Sequence, residues 1–206
     1  VKRCVLASLW ATLAVQSIWL LTHGADVFGV AVLVLLGGFA AASGRRPWLG
    51  IPIRALMAGD FLRSVGARFG AFGGPGTPGV TWGDFAHFTT YTRQVASFLP
   101  SGAAPTLAVL ATIAETTLGL ALLFGIRLRW TALGAAGLLL SFGISMTVSR
   151  PASEQFHYCV FALAAGMLQL ATTDRHPLST DNLLARIATR HHHRRAHPSP
   201  NRTAAA

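Results

Sequence analysis

The sequence is short of charge. Only 12% of its 206 residues are Asp, Glu, Lys or Arg, where a soluble domain carries about 25%. With a mean hydropathy of +0.49, that deficit excludes an ordinary soluble domain and points to lipid as the solvent. Acids are the scarcest charges: Asp and Glu number 7 against 17 Lys and Arg, a formal net charge of +10. The two cysteines, Cys4 and Cys159, are far apart and outside any CxxC. Neither a disulfide framework nor a dithiol redox centre is expected from them. There is no phosphate loop with Lys-Ser/Thr, no HExxH and no nucleophile elbow, so nucleotide and protease chemistry find no support. No pair of in-span histidines has the spacing of a bis-histidine haem. His157 and Cys159 stand two apart, on different sides of a helix. No metal site is expected.

What is present is a series of apolar runs, apolar all round rather than on one face. The first two, about 5–22 and 27–43, flank the break Thr22-His23-Gly24-Ala25-Asp26 and read as a hairpin of two spans. A cleaved signal is the alternative, disfavoured by the length of the first run and the second run directly behind it. Residues 51–70 are long enough to span but carry Arg54, Asp60, Arg63 and Arg68. Each such charge near a helix centre costs on the order of 3 kcal/mol. The segment crosses if its charges pair inside a bundle; otherwise it is a surface amphipathic helix. The Gly-rich stretch 70–79 is a loop. Thr81-Trp82-Gly83-Asp84 resembles a helix start, and the aromatic spacing that follows predicts an interfacial helix near 82–99, ended by Pro100. Spans follow at about 105–125, 130–148 and 156–172. The expected fold is an all-α, polytopic membrane protein. A four-helix transmembrane unit (47–173) carries an added N-terminal two-helix hairpin (1–46) and a basic tail (174–206).

Charge orients this arrangement. Lys2, Arg3, Arg45, Arg46, Arg54, Arg127, Arg129 and the tail arginines fall on one side of a six-span layout, and only Arg68, Arg93 and Arg150 on the other. The positive-inside rule then places both termini in the cytoplasm, with the protein in the plasma or inner membrane. Beside spans, the basic tail is expected to meet anionic lipid rather than nucleic acid. It is expected to be disordered after about residue 188, His191, His192 and His193 included.

Small residues allow close helix approach in lipid. Candidate packing stripes are Ala111, Glu115 and Gly119, with Thr112 and Thr116 beside them; Gly134, Gly137, Ser141 and Ser145; and Ala162 with Gly166. Trp48, Trp82 and Trp130 stand at span boundaries as interfacial anchors.

Glu115 is the sharpest candidate for chemistry. It lies about 15 Å into its span. A carboxylate at that depth faces the bundle and is either protonated or paired. Asp60 falls at the same depth if 51–70 crosses in the opposite direction, and Arg63 lies three residues on. An Asp60–Arg63–Glu115 cluster is expected, either handling a proton or a small polar head group, or clasping two helices together.

The run FLPSGAAPTLAVLATIAETTLGLALLFGIRLRWTALGAAGLLLSF resembles the DoxX family of small membrane proteins. The resemblance rests on Pro100 and Pro105, Glu115, Gly119, the leucine-rich 120–124, Gly125 with Arg129, and the Ala/Leu-rich 131–140. RHPLSTDNLLARI, with Ser179 and Asp181, is similar to the step that closes the family's last span. Ile53-Arg54-Ala55-Leu56 and Gly66-Ala67-Arg68-Phe69 resemble the two ends of its first helix, with Arg68 in place of a Lys. The resemblance covers about 52–187 and implies that 51–70 is a genuine span. It implies a role as accessory or subunit of a quinone-linked thiosulfate or thiol redox system, with quinone as cofactor and a peripheral oxidoreductase as partner. The other reading is a non-catalytic membrane scaffold whose basic tail recruits partners. A solute or proton pathway ranks last, because no pair of broken helices marks a transporter site.

Overall fold

A computed structural model of the protein describes residues 1–42, 46–173 and 177–180, and among these every regular element is helical. Helix α1 (Lys2–His23) ends where Gly24 takes a φ of 98° and donates its N–H to Leu20. Asp26 then opens α2 (Val27–Ala42) by accepting a 2.7 Å hydrogen bond from the Gly29 N–H, the service an N-cap side chain performs for an orphan donor. A 3-10 turn begun by Pro47 leads into α3 (Gly50–Arg68). After the glycine-rich loop comes α4 (Phe85–Val95), capped by Asp84. A second 3-10 turn feeds α5 (Ala104–Phe124), which has Pro105 in its first turn and ends at left-handed Gly125. Helix α6 (Leu128–Ser149) follows, then α7 (Ala152–His157) and α8 (Val160–Ala171).

Three of these helices are long and apolar enough to cross a membrane: α1, Ser101–Phe124 and α6. Helices α2 and α8 are apolar but shorter. At 1.5 Å per residue, α8 extends about 18 Å against a hydrocarbon core of about 30 Å. Helix α3 has the length but carries four charges. The outward faces of the long helices are apolar: Ile18 and Leu21 on α1, Ile113 and Phe124 on α5, and Ile144 and Val148 on α6 are all exposed. Surface of that kind belongs in lipid, and the chain is a membrane protein.

Helix α6 packs along α8, α3 along α5, and α1 along both α8 and α2. Leu9 and Leu13 of α1 and Val32, Leu36 and Phe39 of α2 share one buried cluster with Met57, Leu139 and Leu163. Three of the expected close approaches are present. Gly119 faces Phe61 and Leu62 on α3, Gly134 faces Leu118 on α5, and Gly166 faces Leu36 on α2. Beyond Gly134, the stripe expected on α6 is not its packing face. Gly137 is exposed with nothing near it, and the buried face is Ala132, Ala135, Ala136, Leu139, Gly143 and Met146. Alanines and one glycine make that seam, since the close α6–α8 contact needs a small volume rather than a polar one.

The last expected span is not one continuous helix. It breaks at Tyr158 and Cys159, where Cys159 takes a φ of 51°. The break leaves the Phe156 carbonyl inside the protein. It accepts from the Cys159 N–H at 3.0 Å and from Gln16 Nε2 at 2.8 Å, so α1 supplies the group that makes the break tolerable. Of the expected basic tail, only 177–180 lies within the described residues. The tail histidines and the stretch beyond 188 lie outside them, as does Arg45.

Candidate functional site

Helix α3 presents Phe61, Ser64 and Arg68 toward α5 at helical spacing, and α5 answers with Thr112 and Glu115. Arg68 is 1% exposed and Glu115 2% exposed. Arg68 Nη2 donates to both oxygens of Glu115 at 2.6 Å. Nη1 donates to Thr112 Oγ1 at 2.8 Å, and Nη2 also reaches Ser64 Oγ at 3.1 Å. The guanidinium lies 3.6 Å from the Phe88 ring centroid and 5.4 Å from that of Trp82. The cation is thus held by a carboxylate in the plane and aromatic faces above it. One donor, Arg68 Nε, is buried without a partner among the described residues.

This corrects the expected cluster. The cation on Glu115 is Arg68, not Arg63. Arg63 is exposed, and its Nη2 reaches the Gly79 carbonyl at 3.4 Å. The reason is azimuthal: residue 63 is turned off the face that carries 61, 64 and 68, which is the face against α5. Asp60 is close enough to Glu115 and Arg63 to feel both electrostatically. It forms no hydrogen bond or ion pair with them or with any other described residue. Arg68 was legible as a candidate from its register with Phe61 and Ser64, but nothing local distinguished it from Arg63.

Trp82 is also more than a boundary anchor. The loop ahead of α4 folds so that Trp82 packs on Phe88 and Tyr91. Gly83 makes that fold feasible. Its φ is 77°, and a Cβ there would lie 2.3 Å from the backbone of Gly74 and Pro75. Helix α4 is then fastened over the site. Asp84 Oδ1 accepts from the His87 N–H at 2.8 Å, a bond that holds the Asp84 carboxyl below the usual range. At the far end, Arg150 pairs with Glu154 and donates to Gln94 at 3.2 Å, and Ser97 bonds Ser149 at 3.0 Å. The Glu154 hydrogen bond raises the Arg150 pKa, and burial raises that of Tyr91, whose hydroxyl reaches Glu154 at 3.4 Å.

Beneath α4 lies a cavity of about 720 Å³. Its polar wall holds Asp60, Ser64, Arg68 and Glu115, with Asp26, Arg63 and His157 nearer its edge. Its apolar wall is Phe61, Trp82, Phe88, Leu110, Leu139 and Phe142. Such a space suits a ligand with an aromatic or apolar body and a few polar atoms. Among the described residues, no three His, Cys, Asp or Glu side chains converge as metal ligands. No protein-family model matches the chain, and no curated protein or solved structure matches it.

Proposed function

We propose that the protein is a DoxX-like, multi-pass protein of the plasma or inner membrane, with both termini cytoplasmic. In this reading α3, α5, α6 and α7–α8 form a four-helix unit to which α1 and α2 are added as a hairpin. The unit holds a quinone beside Asp60 and Glu115 and serves as accessory to a peripheral oxidoreductase acting on thiosulfate or thiols. The observation that carries this reading is the unpartnered Asp60 facing an aromatic-lined cavity next to a neutralised Arg68–Glu115 pair. A quinone ring is accommodated by the Phe88 and Trp82 faces. Arg63 would donate to a quinone oxygen at the cavity edge, and Asp60 would accept a proton from the ring's oxygens. Electrons come from the partner. The residues of this chain bind the ring, exclude water and give or take protons at the quinone oxygens.

Asp60→Asn is the decisive variant, because it leaves the buried ion pair intact. Purification in mild detergent should carry quinone with the native chain and lose it with Asp60→Asn, at unchanged thermal stability. Equal carry-over in the two chains would remove the quinone reading. If deletion of 174–206 released a bound partner and Asp60→Asn changed neither quinone carry-over nor function, the protein would instead be the non-catalytic scaffold.

A further inference from the structure

The cavity has two different borders. Toward the α1–α2 turn and the 79–81 loop it is edged by charge: Asp26, Arg63 and His157. On the other side its lining comes from α5 and α6. These helices touch near their connecting turn, where Leu118 packs on Gly134. Further from the turn α4 contacts both of them. There the cavity is lined by Leu107, Leu110 and Ala111 from α5 and by Leu138, Ser141 and Ser145 from α6.

Four cavity-lining residues on this side also face outward. Leu110 is 56% exposed, Phe98 54% and Leu99 41%, and Ser141 is exposed as well. Their outward neighbours are Val109, Ile113, Leu140 and Ile144, all exposed and all apolar. Leu110 lies about 9 Å along α5 from its start. This border therefore opens on surface that sits in hydrocarbon, at a depth where water is absent. An opening there would be costly if it exposed polar groups to lipid. The Ser141 hydroxyl is already spent on the Leu138 carbonyl at 2.7 Å, so the rim presents an apolar edge.

We infer that the cavity opens sideways into the bilayer through a mouth between α5 and α6, bordered by Leu110, Ser141, Phe98 and Leu99. Its ligand is a lipid-borne amphiphile whose head lies against Asp60 and whose apolar tail lies in the mouth. The inference rests on the reading that the cavity holds a ligand. It adds the class of that ligand and the route by which it arrives. Polarity within the cavity supports it: unpaired and paired charge at one border, and apolar groups with the two serine hydroxyls of Ser141 and Ser145 at the other.

The test does not need quinone. The chain with Trp82 as its only tryptophan (the other four replaced by Phe) is placed in bilayers of phosphatidylcholine brominated near the head-group end of the acyl chain. An open mouth lets brominated chains reach the cavity and quench Trp82. Ser141→Phe and Leu110→Phe each fill the mouth. Ile144→Phe, on the same lipid face but outside the cavity lining, is the control. The expected result is loss of most of the quenching in Ser141→Phe and in Leu110→Phe, and no change in Ile144→Phe. Circular dichroism checks that each variant is folded. Quenching that survives both mouth variants, or is never present, overturns the mouth. Quenching that behaves as expected in a chain that carries no quinone overturns the quinone reading and leaves the mouth standing.

Discussion

Helix α3 buries an arginine near each end, and the two are treated differently. Arg68 meets a carboxylate, two hydroxyls and two aromatic faces beside a cavity. Arg54, about four turns away, is 7% exposed and meets a backbone carbonyl, that of Leu178 at 2.6 Å. The surroundings differ in the same sense. Asp26, Asp84, Glu115 and Glu154 all belong to the Arg68 end, whether as cavity lining or as fastenings of α4, and Asp60 lines the cavity from the middle of α3. Arg54 stands near Gly125, with Arg127 and Arg129 close behind it in sequence. The comparison separates two uses of one residue type. At one end a cation organises a neutral polar cluster around a space. At the other it pins the returning chain at 177–180 to the junction of α3 and α5, helped by Thr180 Oγ1 donating to the Phe124 carbonyl at 2.6 Å.

If that contrast is right, the largest effect comes from stranding Arg68. Glu115→Leu leaves a buried guanidinium without its carboxylate and should cost about 3–5 kcal/mol. Thermal unfolding in detergent measures it. The double change Arg68→Met with Glu115→Leu should recover most of that loss, because two apolar side chains replace a desolvated pair. Recovery that failed to appear would mean the pair holds the fold together rather than the site.

Arg54→Met should cost less, about 1.5–3 kcal/mol, since it removes one charged hydrogen bond and strands only a carbonyl. Its signature is local. Amide exchange at Ser179 and Thr180 should accelerate while amides of α4 stay protected. Equal acceleration at both ends of α3 would erase the distinction between a pin and a site.

The smallest effect tests the cover over the Arg68 end. The Asp84 carboxyl is held low by the His87 N–H. Its contribution to α4 is therefore complete above the ordinary carboxylate pKa of about 3.9, and is lost as pH falls through the lowered value. Acid below the ordinary carboxylate pKa of about 3.9 should loosen α4 in the native chain. In Asp84→Ala, α4 should already be loosened at neutral pH and respond less to acid. Trp82 fluorescence follows both.

Much of the architecture was legible from run lengths and punctuation. The expected 105–125 is α5 (Ala104–Phe124), 130–148 is α6 (Leu128–Ser149), and 51–70 is α3 (Gly50–Arg68). Thr81-Trp82-Gly83-Asp84 does start a helix, through Asp84. The break at Cys159 was not legible. No Gly or Pro marks it, and the carbonyl it frees is satisfied by Gln16, well over a hundred residues away in the chain. Nor was the α6 seam legible, because Gly137, Ser141 and Ser145 are as small as the residues that do pack, and only the direction of α8 selects among them.

The candidate site divides in the same way. Composition alone assigns this chain to lipid, because 12% charge cannot cover a soluble surface. Sequence alone also singles out Glu115, because one acid in a long apolar run must find a partner or a proton. Which cation answers it was decided by tertiary structure. Arg63 and Arg68 are equivalent in type and stand about 7.5 Å apart along α3, and the rotation of α3 against α5 turns one inward and the other out. The cavity is tertiary as well. It exists where α4 lies across α5 and α6, a spacing set by packing and carried by no single segment.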